Sequence, residues 1–153
     1  MARTMMRVLS VVLLIFGNVQ IASADKRDFG LGVILGEPTG ISLKKWLGGT
    51  TAIDVAAAWS FVNEGSLYFH IDYLVHNFNL FKTKKGKLPL YYGIGGRIIA
   101  EDKSRVGVRI PIGLSYIFDN VPLDVFAEIG LVLDLVPKTE VGFTAFIGIR
   151  YFF

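Results

Sequence analysis

The sequence predicts an all-β protein, an eight-stranded antiparallel up-and-down barrel that spans a membrane. Three observations predict it. Apolar and polar residues alternate over eight segments, turn-forming residues separate these segments, and ten of the eleven charged residues of the segments share one face. Because successive side chains of a strand point to opposite faces, a period of two indicates strands. Short connections between consecutive strands indicate an antiparallel meander.

Residues 1–24 are expected to be a cleaved signal peptide, which leaves 25–153 as the barrel domain. Arg3 and Arg7 form a positively charged start, an apolar run follows, and Ala22-Ser23-Ala24 fits a cleavage site. An uncleaved membrane anchor is the alternative, but the apolar run is too short to cross a bilayer comfortably.

Composition restricts the possible functions. Without Arg3 and Arg7, 14 of the 16 basic residues remain against 13 acidic ones, so no basic excess indicates nucleic-acid binding. The chain has no cysteine, which excludes disulfides, thiol nucleophiles and thiolate metal sites. Residues 25–153 contain no run of about 18 apolar residues, so a transmembrane helix is not expected.

The first four predicted strands are separated by glycine-containing turns. The first covers 29–35 and ends at E-P-T-G (37–40), and the second covers 41–47 and ends at two glycines (48–49). The third covers 51–61 and ends at V-N-E-G (62–65), and the fourth covers 67–78. Each alternates between apolar side chains and small or polar ones, as half-buried strands do.

A basic connection (79–87) separates the fourth strand from the fifth and carries Lys82, Lys84, Lys85 and Lys87. Such a run is ordinarily a solvated turn, and the alternative is a site for anionic headgroups or a periplasmic partner. The fifth strand covers 88–100, the sixth 105–118 and the seventh 123–135, with turns at 101–104, 119–122 and 136–138. The eighth covers 141–153 and alternates throughout.

Ten of the eleven charged residues of these strands lie on one face. The opposite face is apolar except for Lys45, Asn77 and Gly96. Ten glycines also lie on the charged face: Gly30, Gly32, Gly36, Gly93, Gly95, Gly107, Gly113, Gly130, Gly142 and Gly148. Glycine suits a crowded, curved wall better than an open surface, and side chains just fill an eight-stranded barrel. The charged face is therefore predicted to be the lumen, with the apolar face toward lipid. The alternative is a soluble, exported lipid-binding barrel with the faces reversed.

Lipid-facing aromatic residues form two expected belts, as in membrane barrels. With both chain ends in the periplasm, the periplasmic belt contains Phe29, Tyr92, Tyr116, Phe118, Tyr151 and Phe153. The outer belt contains Trp59, Phe61, Phe69 and Phe143.

The last strand resembles the C-terminal strand of bacterial outer-membrane barrels, matched here by Ile147, Ile149, Tyr151 and Phe153. Residues 25–153 as a whole resemble the small eight-stranded barrels of the OmpA transmembrane-domain and OmpX kind. The resemblance implies an integral protein of the Gram-negative outer membrane, in contact with its lipids and inserted by the barrel-assembly machinery. The oligomeric state stays open, with a monomer favoured. The short outer connections do not suit an adhesin or a receptor.

The predicted lumen holds five acidic and five basic residues, together with His70. Buried charges must be paired, so we expect a network that plugs the barrel. Simple hairpin register would bring Asp134 near Arg109 and Glu128 near Arg150, with His70 beside Asp72. A polar path for a small solute is the alternative. The ten charged residues are Lys44, Asp54, Asp72, Arg97, Arg105, Arg109, Asp124, Glu128, Asp134 and Arg150.

No enzymatic centre, cofactor or metal site is expected. Some eight-stranded barrels modify lipid A or phospholipids with a Ser–His–acid set, for which His70, Ser60, Ser66 and Glu64 would be the candidates here. His70 faces the predicted lumen rather than the lipid, which argues against this reading. His70 and His76 lie about 20 Å apart along one strand, too far to share an ion.

Overall fold

A computed structural model of the protein describes residues 27–60 and 65–153. In them, eight strands form a closed antiparallel barrel, in which each strand pairs with the next and the last pairs with the first. The predicted fold class is therefore confirmed. The expected signal peptide, Phe61 and Glu64 lie outside these residues. The strands are β1 (Phe29–Glu37), β2 (Thr39–Trp46), β3 (Thr51–Trp59), β4 (Leu67–Asn77), β5 (Leu90–Ala100), β6 (Arg105–Ile117), β7 (Leu123–Val136) and β8 (Glu140–Phe152).

The first hairpin is tighter than the sequence predicts. β1 continues to Glu37 and β2 begins at Thr39, so only Pro38 separates them. The Thr39 hydroxyl donates to the carbonyl of Gly36 at 2.8 Å and accepts from its amide at 3.3 Å. These two hydrogen bonds hold the ends of β1 and β2 together without a longer turn, because Thr side chains readily bond nearby backbone groups.

The barrel closes between β1 and β8, whose register runs from the Gly30–Phe152 pair to the Glu37–Ala145 pair. The amide of Phe153 also donates to the carbonyl of Phe29 at 2.9 Å. Closure removes the unpaired edges that would otherwise expose backbone donors and acceptors. The last strand is thus the element that completes the sheet.

Polarity is distributed inside out in this barrel. Ile129 on β7 is 56% exposed and Ile147 on β8 is 59% exposed, both on the outer wall. Arg109, by contrast, is 0% exposed and Arg150 is equally enclosed in the lumen. The arrangement with reversed faces does not agree with this structure, since the aliphatic wall is outside and the ionic groups are inside.

Glycines make room for the large side chains of the lumen. A Cβ on Gly113 would lie 2.5 Å from the ring of Tyr91, and one on Gly130 would lie 3.2 Å from the Arg109 guanidinium. These distances are below ordinary van der Waals contact. The wall therefore needs glycine where a neighbouring strand sends a bulky side chain inward.

The connections divide between two rims. The proximal rim carries the start of β1, the end of β8 and the connections 47–50, 78–89 and 118–122. The distal rim carries Pro38, residues 60 and 65–66, and the connections 101–104 and 137–139. Aromatic residues meet at the proximal rim, where the rings of Phe29 and Phe153 lie 5.7 Å apart and those of Tyr116 and Phe118 4.8 Å apart.

In the part of the chain that the structure describes, no helix has the length and apolar character needed to cross a membrane.

Candidate functional site in the barrel lumen

The charged residues of the lumen fall into four groups that follow one another along the barrel axis. We name each group by its basic residue: the Lys44, Arg150, Arg109 and Arg97 groups, from the proximal rim to the distal rim. Their order follows from their positions along the strands, since Asp124, Glu128 and Asp134 occupy successive levels of β7. All ten charged residues predicted to face the lumen lie on its wall; nine are buried and Arg105 is half-buried.

The Arg109 group contains a guanidinium held between two carboxylates. Arg109 Nε on β6 lies 3.0 Å from Asp72 Oδ2 on β4, and its Nη2 pairs with Glu128 Oε1 on β7. The hydroxyl of Tyr91 on β5 donates to the other Glu128 oxygen at 2.9 Å. Since the group has no access to water, these carboxylates supply the charge compensation that solvent would otherwise give.

His70 joins this group, and its tautomer follows from its neighbours. Arg109 Nη1 donates to the Tyr68 hydroxyl at 3.0 Å, and that hydroxyl lies 2.9 Å from His70 Nδ1. Arg109 Nη1 also lies 3.1 Å from Nδ1, and arginine can only donate. Nδ1 is therefore the acceptor and Nε2 carries the proton. Nε2 lies 3.6 Å from Asp72 Oδ2 and 3.9 Å from Asp54 Oδ2, so its N–H is directed toward two carboxylates.

The Arg150 group, nearer the proximal rim, also holds a guanidinium between two carboxylates. Arg150 Nη1 lies 3.3 Å from Asp124 Oδ2, and its Nη2 lies 3.5 Å from Asp54 Oδ2. Its Nε donates to Ser42 Oγ at 2.9 Å, and the guanidinium lies 3.8 Å from the centre of the Phe126 ring. The cation is therefore held by two ion pairs, a hydrogen bond and a cation–π contact on one face.

The Lys44 group depends on a histidine rather than a carboxylate. Lys44 is opposite Asp54 in the ladder, but its Nζ lies 2.8 Å from His76 Nε2 and 4.3 Å from the centre of the Trp46 ring. His76 Nδ1 lies 3.0 Å from the carbonyl of Thr50, which can only accept. His76 is thus protonated on Nδ1, and its Nε2 accepts from the lysine.

The Arg97 group is closest to the distal rim. Arg97 donates from Nε and Nη2 to the two oxygens of Asp134 at 3.1 and 2.7 Å, a bidentate pair. Arg105 lies 3.0 Å from Glu101 and 3.8 Å from Asp134. This group therefore extends the ionic interior to the distal connections.

One of the two expected positions is wrong. Asp134 is diagonal to Arg109 in the β6–β7 ladder, as expected, but Glu128 is opposite Phe146 and is not diagonal to Arg150. In the structure Asp134 forms its bidentate pair with Arg97, and Glu128 pairs with Arg109. Ion pairs also join strands that are not neighbours, β5 with β7, β6 with β4 and β8 with β3. His70 does lie beside Asp72, as expected.

Several uncharged polar residues belong to the network but were not anticipated. Tyr68, Tyr91, Ser42 and Thr144 hydrogen-bond with its ionic groups, and Glu101 joins it from a distal connection. The first four occupy lumen-facing positions by the same alternation that located the charges. Their place in this alternation is the signal that could have identified them as lumen residues.

The serine and histidine candidates for an enzymatic centre engage different partners. Ser60 donates to Glu37 and Ser66 donates to Glu101 at 3.1 Å, both at the distal rim. His70, as described above, is directed to tyrosine, arginine and aspartate groups. A nucleophile needs hydrogen-bond contact with its base, and these contacts do not supply it.

Asp54, His70 and Asp72 form the best metal candidate, because one potential ligand atom from each lies within 4.8 Å of the others. However, Arg109 lies 3.0 Å from Asp72 and Arg150 lies 3.5 Å from Asp54. Two permanent cations already compensate these carboxylates and would repel a metal ion. The donor set fits ion pairing with guanidinium better than it fits a metal.

No protein-family model and no curated protein sequence matches the chain. Among solved structures, the chain is similar to the crystal structure of the N-terminal β-barrel domain of Pseudomonas aeruginosa OprF, with a TM-score of 0.60 and 15% sequence identity. The match covers 82% of this chain and 96% of that domain. Together with the closed barrel described above, it shows that the chain has the OmpA-like fold of the small eight-stranded outer-membrane barrels.

Proposed function

We propose that the protein is an integral β-barrel of the bacterial outer membrane, with a plugged polar interior and a structural role in the envelope. The observation that carries the proposal is the inside-out distribution of polarity. An aliphatic wall that includes Ile129 and Ile147 faces outward, while Arg109 and Arg150 are enclosed. The OmpA-like fold supports the same location.

The outer wall supports residence in a lipid bilayer. Contiguous apolar surface of this extent is unfavourable in water, whereas hydrocarbon accepts it. A closed barrel is also one of the two architectures that satisfy every backbone donor and acceptor within a membrane. The expected signal peptide (1–24) and the last strand support export to the outer membrane and insertion by the barrel-assembly machinery.

The ionic groups support a plugged interior. The Arg109 and Arg150 groups each connect strands that are not neighbours in the barrel, and their guanidiniums are inaccessible to water. Eight strands leave an interior that side chains fill, whereas water-filled porins use about 16 to 18 strands. A solute would have to break several buried ion pairs in order to pass.

Fractionation and conductance test the two parts of this proposal. We expect the protein to remain with membranes after carbonate washing, and release into buffer would contradict the membrane location. Refolded protein in planar bilayers should produce no stable conductance steps. Reproducible ohmic channels would contradict the plugged interior while leaving the membrane location intact.

A charge scan of the outer wall tests its contact with lipid. Ile129→Arg on β7 should destabilise the folded protein by roughly 2–4 kcal/mol, because it places a charge at the bilayer midplane. Val141→Arg, at the distal end of β8, should cost only about 0–1 kcal/mol because a charge there reaches the interface. Urea unfolding in lipid vesicles measures both values. Equal losses of stability in the two variants would contradict contact between the outer wall and the bilayer.

A further inference from the structure

The longest connection of the proximal rim is a basic segment that the lumen network does not use. We call residues 78–89, between β4 and β5, the lysine loop. Lys82, Lys84, Lys85 and Lys87 are all exposed, and the loop contains no acidic residue. Within the described residues, none of these lysines forms an ion pair with a carboxylate. The loop therefore presents four exposed ammonium groups that no described carboxylate contacts.

Hydrogen bonds fix the lysine loop against the outer wall of the barrel. The hydroxyl of Tyr116, an outward-facing residue of β6, donates to the carbonyl of Lys85 at 2.9 Å. Lys87 and Ile117 exchange backbone hydrogen bonds of 2.9 and 2.8 Å. The amide of Gly86 donates to the Asp119 carboxylate at 2.6 Å, so this carboxylate holds the loop through its backbone. The lysines are thus attached at the level of the proximal aromatic residues.

Gly86 is needed for this attachment. Its φ is +71°, a conformation that residues with a side chain rarely adopt, and a Cβ there would lie 2.6 Å from the carbonyl oxygen of Ile117 and 2.7 Å from the Tyr116 hydroxyl. The Thr83 hydroxyl donates to the carbonyl of Gly86 at 2.8 Å and closes the turn. The lysine loop is therefore a built turn with a defined position.

Apolar side chains accompany the charges. Leu80 and Phe81 immediately precede Lys82 and are both exposed. Aromatic residues and lysines are characteristic of the membrane–water interface, where apolar groups enter the bilayer and ammonium groups reach the headgroups. The loop combines both kinds of group next to a tyrosine of the outer wall.

We propose that the lysine loop is a binding surface for anionic phospholipid headgroups in the leaflet that surrounds the proximal rim. Lys82, Lys84 and Lys85 bind the phosphates, while Leu80 and Phe81 insert at the interface. Anionic headgroups are favoured over zwitterionic ones because they carry no ammonium group to oppose the lysines. The inference rests on the membrane location proposed above, and attachment through Tyr116 favours a lipid over an acidic soluble partner.

Lipid selectivity measured by electron paramagnetic resonance tests this inference. The protein is reconstituted into phosphatidylcholine bilayers with traces of spin-labelled phosphatidylglycerol or spin-labelled phosphatidylcholine, and the motionally restricted fraction gives their relative association. We expect wild-type protein to prefer phosphatidylglycerol and to lose this preference at high salt. Lys84→Gln with Lys85→Gln should weaken the preference, by up to roughly fivefold for each charge removed at low salt.

A matched double variant at the other rim controls for net charge. Lys103→Gln with Lys138→Gln removes the same charge from exposed distal connections and should leave the preference unchanged. Tyr116→Phe keeps every lysine but removes the hydroxyl that holds Lys85, so it should reduce the preference. Heat-modified mobility on gels verifies that each variant is folded. If Lys84→Gln with Lys85→Gln does not fold, Lys82→Gln with Lys84→Gln makes the same test.

The outcomes separate this inference from the proposed membrane location. Wild-type protein that fails to enter the bilayer would overturn both. Protein that enters the bilayer without preferring phosphatidylglycerol would overturn only the lysine loop proposal. Equal losses in the proximal and distal double variants would also overturn it, because net charge would then account for the preference. Binding of soluble polyglutamate without lipid preference would identify an acidic partner instead.

Discussion

At the residue scale, the lumen is organised around guanidinium groups that cannot reach water. Arg109 contacts Asp72 and Glu128 as ion partners and donates to Tyr68 and Thr144. Burial makes such a pair costly to break, because the partner that remains is an uncompensated charge in a poorly polarisable environment. The structural role of this residue should therefore be visible as a loss of stability.

Arg109→Ala should lower the free energy of unfolding by roughly 3–5 kcal/mol, because Asp72 and Glu128 stay buried without their cation. Arg105→Ala is the control. Arg105 is half-buried at the distal rim and pairs with an equally accessible Glu101, so its loss should cost only about 0–1 kcal/mol. Urea titration in detergent micelles measures both. A wild-type transition for Arg109→Ala would rule out a stabilising network.

Two adjacent glycines of β5 test the crowding of the lumen. A Cβ on Gly95 would overlap the carboxylate of Asp72 and the carbonyl of Ile71, so Gly95→Ala should cost about 1–3 kcal/mol. Gly96 faces outward, and a Cβ there would have its nearest neighbour at 3.6 Å, the carbonyl of Gly107. Gly96→Ala should therefore be neutral or stabilise by up to about 1 kcal/mol. The unfolding midpoints of the two variants are measured in parallel. Equal midpoints would contradict the crowding of the lumen at Gly95.

At the element scale, alternation and turn chemistry were enough to locate all eight strands. A period of two depends on each residue and its neighbours along the chain, so it can be recognised without knowing the partners of a strand. The first and last residues of the strands were harder to predict. β5 begins at Leu90 rather than at residue 88, because Pro89 has no amide hydrogen to add to the ladder.

The partners of the lumen charges could not be predicted from the sequence in the same way. Parity shows that Arg150 and Asp54 both face inward, but they lie on β8 and β3, which do not pair with each other. Their contact depends on the diameter of the closed barrel and on the side chains that pack against the guanidinium, such as Phe126. Those are properties of the assembled wall rather than of any strand.

The last strand allows stability to be separated from assembly. Phe153 is exposed and contacts the rings of Phe29 and Tyr151 at 5.7 and 5.8 Å, so Phe153→Ala should cost only about 1 kcal/mol in detergent. In cells it should strongly reduce the folded protein in the outer membrane, if the last residue is read during insertion. Phe143→Ala, an outward-facing aromatic of the same strand, is the control. Equal cellular yields of the two variants would contradict a role for Phe153 as an insertion signal.

At the scale of the whole molecule, the two rims differ in size and chemistry. The proximal rim carries the lysine loop, and the distal connections are short and contain both acidic and basic residues. Ion pairs and hydrogen bonds of the interior extend from Lys44, which bonds His76 near the proximal rim, to Arg105 at the distal rim. The chemical asymmetry of the barrel therefore lies at its ends. Its orientation in the membrane decides which leaflet the lysines meet.

The absence of cysteine makes this orientation directly measurable. Lys138 on a distal connection has a side chain that is 76% exposed, and Lys84 is exposed in the lysine loop. With both chain ends in the periplasm, a polymer-linked maleimide too large for porins should label Lys138→Cys in intact cells. It should label Lys84→Cys only after the outer membrane is permeabilised. The opposite labelling pattern would mean that the barrel has the inverse orientation and that the lysine loop lies at the outer leaflet. The anionic lipid proposed for the loop would then have to be a lipid of that leaflet.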